Sequence, residues 1–157
     1  MIEITHPLLR GPGRLYAGGL PERPFGDSVA ALAASGITTV ACLLELEEFP
    51  DGLREAYEQA GFEILCFPVP DFGVPTDPDD FGVFLLDLLA RLRRGESLFV
   101  HCYAGIGRTG VALCCLFKLL GETGDPIQIV RAVYARSAVE SPTQQRFVKR
   151  FDARLSQ

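Results

Sequence analysis

One segment restricts the fold of this chain more than any other. Ser97 to His101 (SLFVH) leads through Cys102-Tyr103-Ala104-Gly105-Ile106-Gly107 into a strongly apolar run from Arg108 to Leu120. The first piece is short, continuous and apolar, as a strand buried on both faces must be. The last reads as a helix, with Gly121 just past its end where a C-cap favours glycine. A strand that passes through a glycine turn straight into a helix points to a βα unit of a parallel sheet.

The rest of the chain repeats that alternation. Arg14 to Gly18, Ile37 to Leu44 and Glu63 to Phe67 read as further strands. Asp27 to Ser35, Gly52 to Ala60 and Pro78 to Arg94 have helical spacing of apolar positions, and Gly36, Gly61 and Gly95 follow them. Asp125-Pro126 starts a helix to about Ala135, and Ser141-Pro142 starts another to about Leu155. The expected fold is therefore α/β: a central, mostly parallel sheet of four to five strands flanked by helices on both faces. There is no internal repeat and no low-complexity linker, so residues 1–157 read as a single domain. Pro68 to Pro78 (PVPDFGVPTDP) is the one long irregular segment, and such loops usually carry function.

The turn after Cys102 has the makings of an anion site. Backbone N–H groups converge at a strand–loop–helix junction, and the helix dipole adds roughly half a positive charge. Such a field favours the thiolate of a cysteine placed in it. Gly105 and Gly107 allow the tight turn, and the main chain of Tyr103, Ala104, Gly105, Ile106 and Gly107 would cradle the anion. Arg108 would close the loop and grip two oxygens of a phosphate. Thr109 can donate a hydrogen bond to the sulfur. By composition alone, a cysteine preceded by His and followed at the sixth position by Arg arises roughly once per thousand, so coincidence is a poor explanation.

HCYAGIGRTG at 101–110 resembles the HCxxGxxR[ST] signature of the cysteine-dependent protein tyrosine phosphatase superfamily, and the chain's size resembles its compact dual-specificity branch. The likeness runs from LYAGGLP near residue 15, through VPDFGVP, to ESPTQQRFV near residue 145. It implies hydrolysis of a phosphomonoester through a phosphocysteine, with no metal and no cofactor. It also implies that Asp71, 31 residues before Cys102, is the general acid that protonates the leaving oxygen. Read by residue type alone, Asp71 is one loop aspartate beside Asp77, Asp79 and Asp80, and those three suit an N-cap for the following helix better. In relatives, the segment matching Glu140 and Gln144 positions the water that releases the phosphate; several of them carry Gln where this chain has Glu140, so Gln144 is the stronger of the two for that role. Capping of the last helix is an equal reading of the same residues. His101 reads as a brace for the loop, and His6 as a surface residue.

Charge and cysteine usage narrow the partners. A net charge of −5 leaves no basic surplus for a nucleic-acid backbone. No run approaches the ~20 apolar residues needed to span a bilayer, and the N-terminus lacks the apolar core of a signal peptide. Five cysteines without disulfide or zinc spacing suggest a reduced, cytoplasmic protein, expected as a monomer. Cys42, Cys66, Cys114 and Cys115 read as core residues; Cys42 is also the strongest partner for the protective disulfide that some relatives form with their nucleophile. The variable loop positions carry no lysine, unlike relatives acting on highly phosphorylated inositides. Phosphotyrosine, with or without phosphoserine and phosphothreonine, is the expected substrate. A lipid or metabolite phosphatase, a non-catalytic phosphate-binding module, and an arsenate reductase or sulfur carrier are the alternatives.

Overall fold

The computed structural model describes residues 1–156. Its sheet has five strands in the order β1-β2-β5-β3-β4: β1 (Ile2–Ile4), β2 (Leu15–Gly18), β3 (Ile37–Cys42), β4 (Glu63–Cys66) and β5 (Ser97–His101). The last four are parallel to one another, and β1 pairs antiparallel with β2. Sequence patterning missed β1, which is three residues long with two of them exposed, too little to show a period.

Most residues of β3 and β5 are buried because alternate side chains enter opposite cores. From β3 and β5, Val40, Cys42 and Phe99 face one layer, where they meet Val29 and Leu32 of α1 (Phe25–Ala34) and Leu53 and Tyr57 of α2 (Leu53–Gln59). Ala41, Leu98 and Val100 face the other, which holds α3 (Pro78–Arg93), α4 (Gly107–Leu119), α5 (Pro126–Val133) and α6 (Pro142–Arg150). In α3 the buried positions Phe81, Leu85, Leu88, Leu89 and Leu92 follow the helical period, each contributing about 1.5–3 kcal/mol if fully buried. α4 is enclosed on nearly all sides, which explains the apolar run from Val111 to Phe117.

The expected caps form. Asp77 accepts from the N–H groups of Asp79 and Asp80, Asp125 from those of Ile127 and Gln128, and Ser141 from that of Gln144. Three expectations fail. α6 stops at Arg150, because Phe151 is extended (φ −56°, ψ 128°) and Lys118 Nζ caps the carbonyls of Val148 and Phe151 at 2.8 and 2.7 Å; a short 3₁₀ turn then spans Ala153–Ser156. Cys66 is exposed, since β4 lies at the sheet edge. His6 is half-buried rather than a free surface residue: Nδ1 accepts from Leu8 N–H, Nε2 lies 3.0 Å from Glu122, and its ring packs 4.6 Å from that of Phe117. Among the described residues no helix is long and apolar enough to cross a membrane.

Candidate active site

The carboxyl ends of parallel strands collect ligand sites in α/β folds, because loops and helix N-termini converge there. Here the convergence is at the end of β5. Cys102 follows its last residue, the chain turns through residues 103–106, and α4 begins at Gly107. Cys102 is 2% exposed, and its Sγ accepts hydrogen bonds from Gly105 N–H at 3.2 Å and the Thr109 hydroxyl at 3.1 Å.

The loop is clamped from three sides. Gly105 has φ +80°, and a Cβ there would lie 2.4 Å from Gly19 N, so only glycine fits against the end of β2. Leu20 N–H donates to Tyr103 O at 2.9 Å, and a Cβ at Gly19 would lie 2.8 Å from the same oxygen, which accounts for the glycine there. On the far side the Tyr134 hydroxyl donates to Gly105 O, and Val139 N–H donates to Ile106 O at 3.3 Å.

His101 anchors the loop from beneath. It is wholly buried; Nδ1 lies 2.9 Å from Cys102 O and Nε2 2.9 Å from the Tyr57 hydroxyl. A carbonyl only accepts, so Nδ1 carries the proton and Nε2 accepts from Tyr57. Burial pushes the imidazole down to about 4, against the opposing pull of its bond to Cys102, so it stays neutral at ordinary pH. Burial likewise pushes the Tyr57 phenol up.

Arg108 is 3% exposed, and its guanidinium is almost fully partnered. Nη1 donates to Glu48 Oε2 at 2.7 Å and to Val69 O at 2.9 Å; Nη2 donates to Glu48 Oε1 at 2.9 Å and to Asp71 Oδ1 at 3.2 Å. Burial works against its charge, but the Glu48 hydrogen bonds and the neighbouring Cys102, Glu48 and Asp71 charges prevail and hold it above its ordinary value. The same hydrogen bonds hold the Glu48 carboxyl below its ordinary range despite partial burial.

Asp71 is brought to this cluster by the proline-rich loop. Its side chain is 58% exposed, and Oδ1 also accepts from Phe72 N–H at 3.0 Å. α6 ties the loop down: the Ser141 hydroxyl donates to Phe72 O at 3.0 Å and Gln144 Nε2 to Gly73 O at 3.1 Å. Gln144 Oε1 accepts from the N–H groups of Glu140 and Ser141, so this buried amide is committed at both ends. Glu140 is exposed, and a Cβ at Gly107 would come within 2.7 Å of its Oε1. Cys102, Arg108, Asp71, Thr109, His101, Glu140 and Gln144 thus converge. Cys42 is a buried free thiol, its side chain in the opposite core from Cys102.

Glu48 and Tyr57 escaped the sequence reading. The available signal for Glu48 was Glu45-Leu46-Glu47-Glu48, an acidic stretch just past the carboxyl end of the strand beside β5.

Residues 11–152 match the model of the Swiss Army Knife protein, DSP-PTPase phosphatase domain. The chain belongs to this phosphatase family. Cyclin-dependent kinase inhibitor 3 of Rattus norvegicus is 27% identical over 142 residues, which cover 86% of this chain and 66% of that protein. Tyrosine-protein phosphatase non-receptor type 4 of Mus musculus is 39% identical over 87 residues, 50% of this chain and 9% of that protein. The chain therefore spans about two thirds or less of these curated relatives. Among solved structures, a kinase associated phosphatase with its catalytic-site cysteine replaced by serine superposes with a TM-score of 0.87 at 21% identity, covering 99% of this chain and 94% of that one. Tk-PTP in its active form superposes at 0.75 with 25% identity, covering 93% and 95%. The phosphatase-domain family's fold is thus the fold described above.

Proposed function

We propose that residues 1–157 act as one phosphatase domain that hydrolyses phosphomonoesters through a phosphocysteine. Phosphotyrosine in proteins is the first substrate, and phosphoserine and phosphothreonine follow. The observation that carries the reading is the Cys102 sulfur beneath two hydrogen-bond donors, with Arg108 and Asp71 joined beside it.

In the first step the Cys102 thiolate attacks phosphorus, the S–P bond forms, and the P–O bond to the leaving group breaks. Asp71 gives its proton to the departing oxygen. In the second step Asp71 takes a proton from water, water oxygen attacks phosphorus, and the S–P bond breaks. The Thr109 hydrogen bond stabilises the thiolate as it leaves. The loop N–H groups and Arg108 stabilise charge on the equatorial oxygens throughout.

Arg108 has a specific way to engage phosphate. Four of its five N–H groups are used by Glu48, Val69 and Asp71; among the described residues the Nε–H has no partner. A phosphate held through Nε and Nη2 would take over the bond to Asp71 and free that carboxyl to reach the leaving oxygen, while Glu48 kept the guanidinium in place. Gln144 supports the loop that carries Asp71. To position water it would have to give up one of its present bonds, whereas the Glu140 carboxylate beside Gly107 is not so committed.

A panel of phosphotyrosyl and phosphothreonyl peptides, phosphoinositides and nucleotides tests the substrate class. Turnover of phosphotyrosyl peptides with the highest kcat/KM is expected. Turnover of a lipid or metabolite with no phosphopeptide activity would overturn the protein-phosphatase reading.

A further inference from the structure

Contiguous apolar surface exposed on a folded protein usually marks a binding site. Leu46 is 75% exposed, Phe72 60% and Tyr103 55%. Each is adjacent in the chain to the site: Leu46 lies two residues before Glu48, Phe72 follows Asp71, and Tyr103 follows Cys102. Fixed backbone holds two of them out, since Leu20 N–H binds Tyr103 O and the Ser141 hydroxyl binds Phe72 O, where φ is +58°.

Leu46 stands between Glu45 and Glu47, neither of which makes a salt bridge among the described residues. The neighbouring Glu47 side chain, with slight desolvation, raises the Glu45 carboxyl, and Glu45 also senses Arg108; the Glu45 side chain accepts from the Glu48 N–H. Of the neighbouring cations, Arg108 is turned inward to Glu48, and Arg54 lies over the Phe49 ring at 4.7 Å. Two adjacent carboxylates without a cation repel one another and any incoming anion, and both repulsions become attraction for a basic group.

We propose that this mouth selects phosphotyrosyl segments with basic flanks: Leu46, Phe72 and Tyr103 receive the ring and adjoining apolar groups, and Glu45 with Glu47 receives the flanking Arg or Lys. The proposal rests on the phosphoprotein reading of the site. A polyanionic headgroup or an anionic membrane would meet the same carboxylates unfavourably, so the peptide is the better occupant.

The test compares kcat/KM for phosphotyrosyl peptides of one length flanked by arginine, alanine or glutamate, beside a phosphoinositide in neutral vesicles and p-nitrophenyl phosphate. Arginine flanks should exceed glutamate flanks by about tenfold at low salt, and the ratio should shrink towards one at roughly 1 M salt. In Glu45→Lys/Glu47→Lys the order of the two flanks should reverse, a ratio taken within one variant and so independent of its overall activity. Equal rates for all flanks, a preference for glutamate, or an unchanged ratio in the variant would overturn the proposal and leave the phosphoprotein reading standing. Hydrolysis of p-nitrophenyl phosphate or the phosphoinositide with no turnover of any peptide would overturn both.

Discussion

Arg108 and Glu48, 60 residues apart in the chain, meet through two parallel hydrogen bonds of 2.7 and 2.9 Å. An arginine side chain 2% exposed needs such a partner, because an unpaired buried charge is costly. The pair also fixes the plane of the guanidinium, and with it the direction of the Nε–H that has no partner among the described residues.

Glu48→Gln keeps the shape and removes the charge. We expect kcat/KM to fall by about 10–100-fold and stability by about 1–3 kcal/mol, the usual cost of leaving a buried polar group poorly partnered. Steady-state kinetics with denaturant unfolding checks both; kinetics matching the parent protein would show that Glu48 does not orient Arg108.

Asp71→Ala removes the proposed proton donor. kcat should drop by about 10²–10⁴ for alkyl phosphates, and by less for p-nitrophenyl phosphate, whose leaving group needs little protonation. A loss independent of leaving-group basicity would contradict the assignment.

Ser141 both caps α6 and holds the loop that carries Asp71. Ser141→Ala should cost about 1 kcal/mol of stability and lower kcat severalfold. In the background of Asp71→Ala that kinetic loss should disappear, because the loop would then have no proton to deliver. Additive losses in the double variant would place Ser141 outside that step.

His101 gives a pH dependence of definite sign. Its folded value of about 4 lies below the ordinary 6.5, so between those values the unfolded chain binds a proton that the folded chain does not. Stability should therefore rise with pH across that window by about 1.4 kcal/mol per unit from this residue, and gain nothing further from it above pH 6.5. Chemical unfolding at pH 4.5, 5.5, 6.5 and 7.5 checks this against His101→Asn, in which the slope should be smaller; identical slopes would contradict the buried neutral imidazole.

What could be read from the chain follows physical lines. β5, the turn after Cys102 and α4 were legible because burial on both faces of the strand, tight turning at Gly105 and full enclosure of the helix each leave a local mark. β1 left none, being three residues long with two of them exposed. Cys66 was misjudged because apolar neighbours do not distinguish an edge strand from a central one. Glu48 and Tyr57 are tied to the site through space across gaps of 60 and 44 residues, and nothing in their local sequence announces Arg108 or His101. The convergence of Asp71, Glu140 and Gln144 was legible only through likeness to relatives; the hydrogen bonds from α6 to Phe72 and Gly73 show what brings it about.

The phosphocysteine itself offers the most direct test. Acid quenching during turnover of p-nitrophenyl phosphate, followed by proteolysis and mass spectrometry, should find one phosphoryl group on the peptide containing Cys102 and none in Cys102→Ser. Efficient turnover in Cys102→Ser, or a phosphoryl group carried by another residue, would contradict the account.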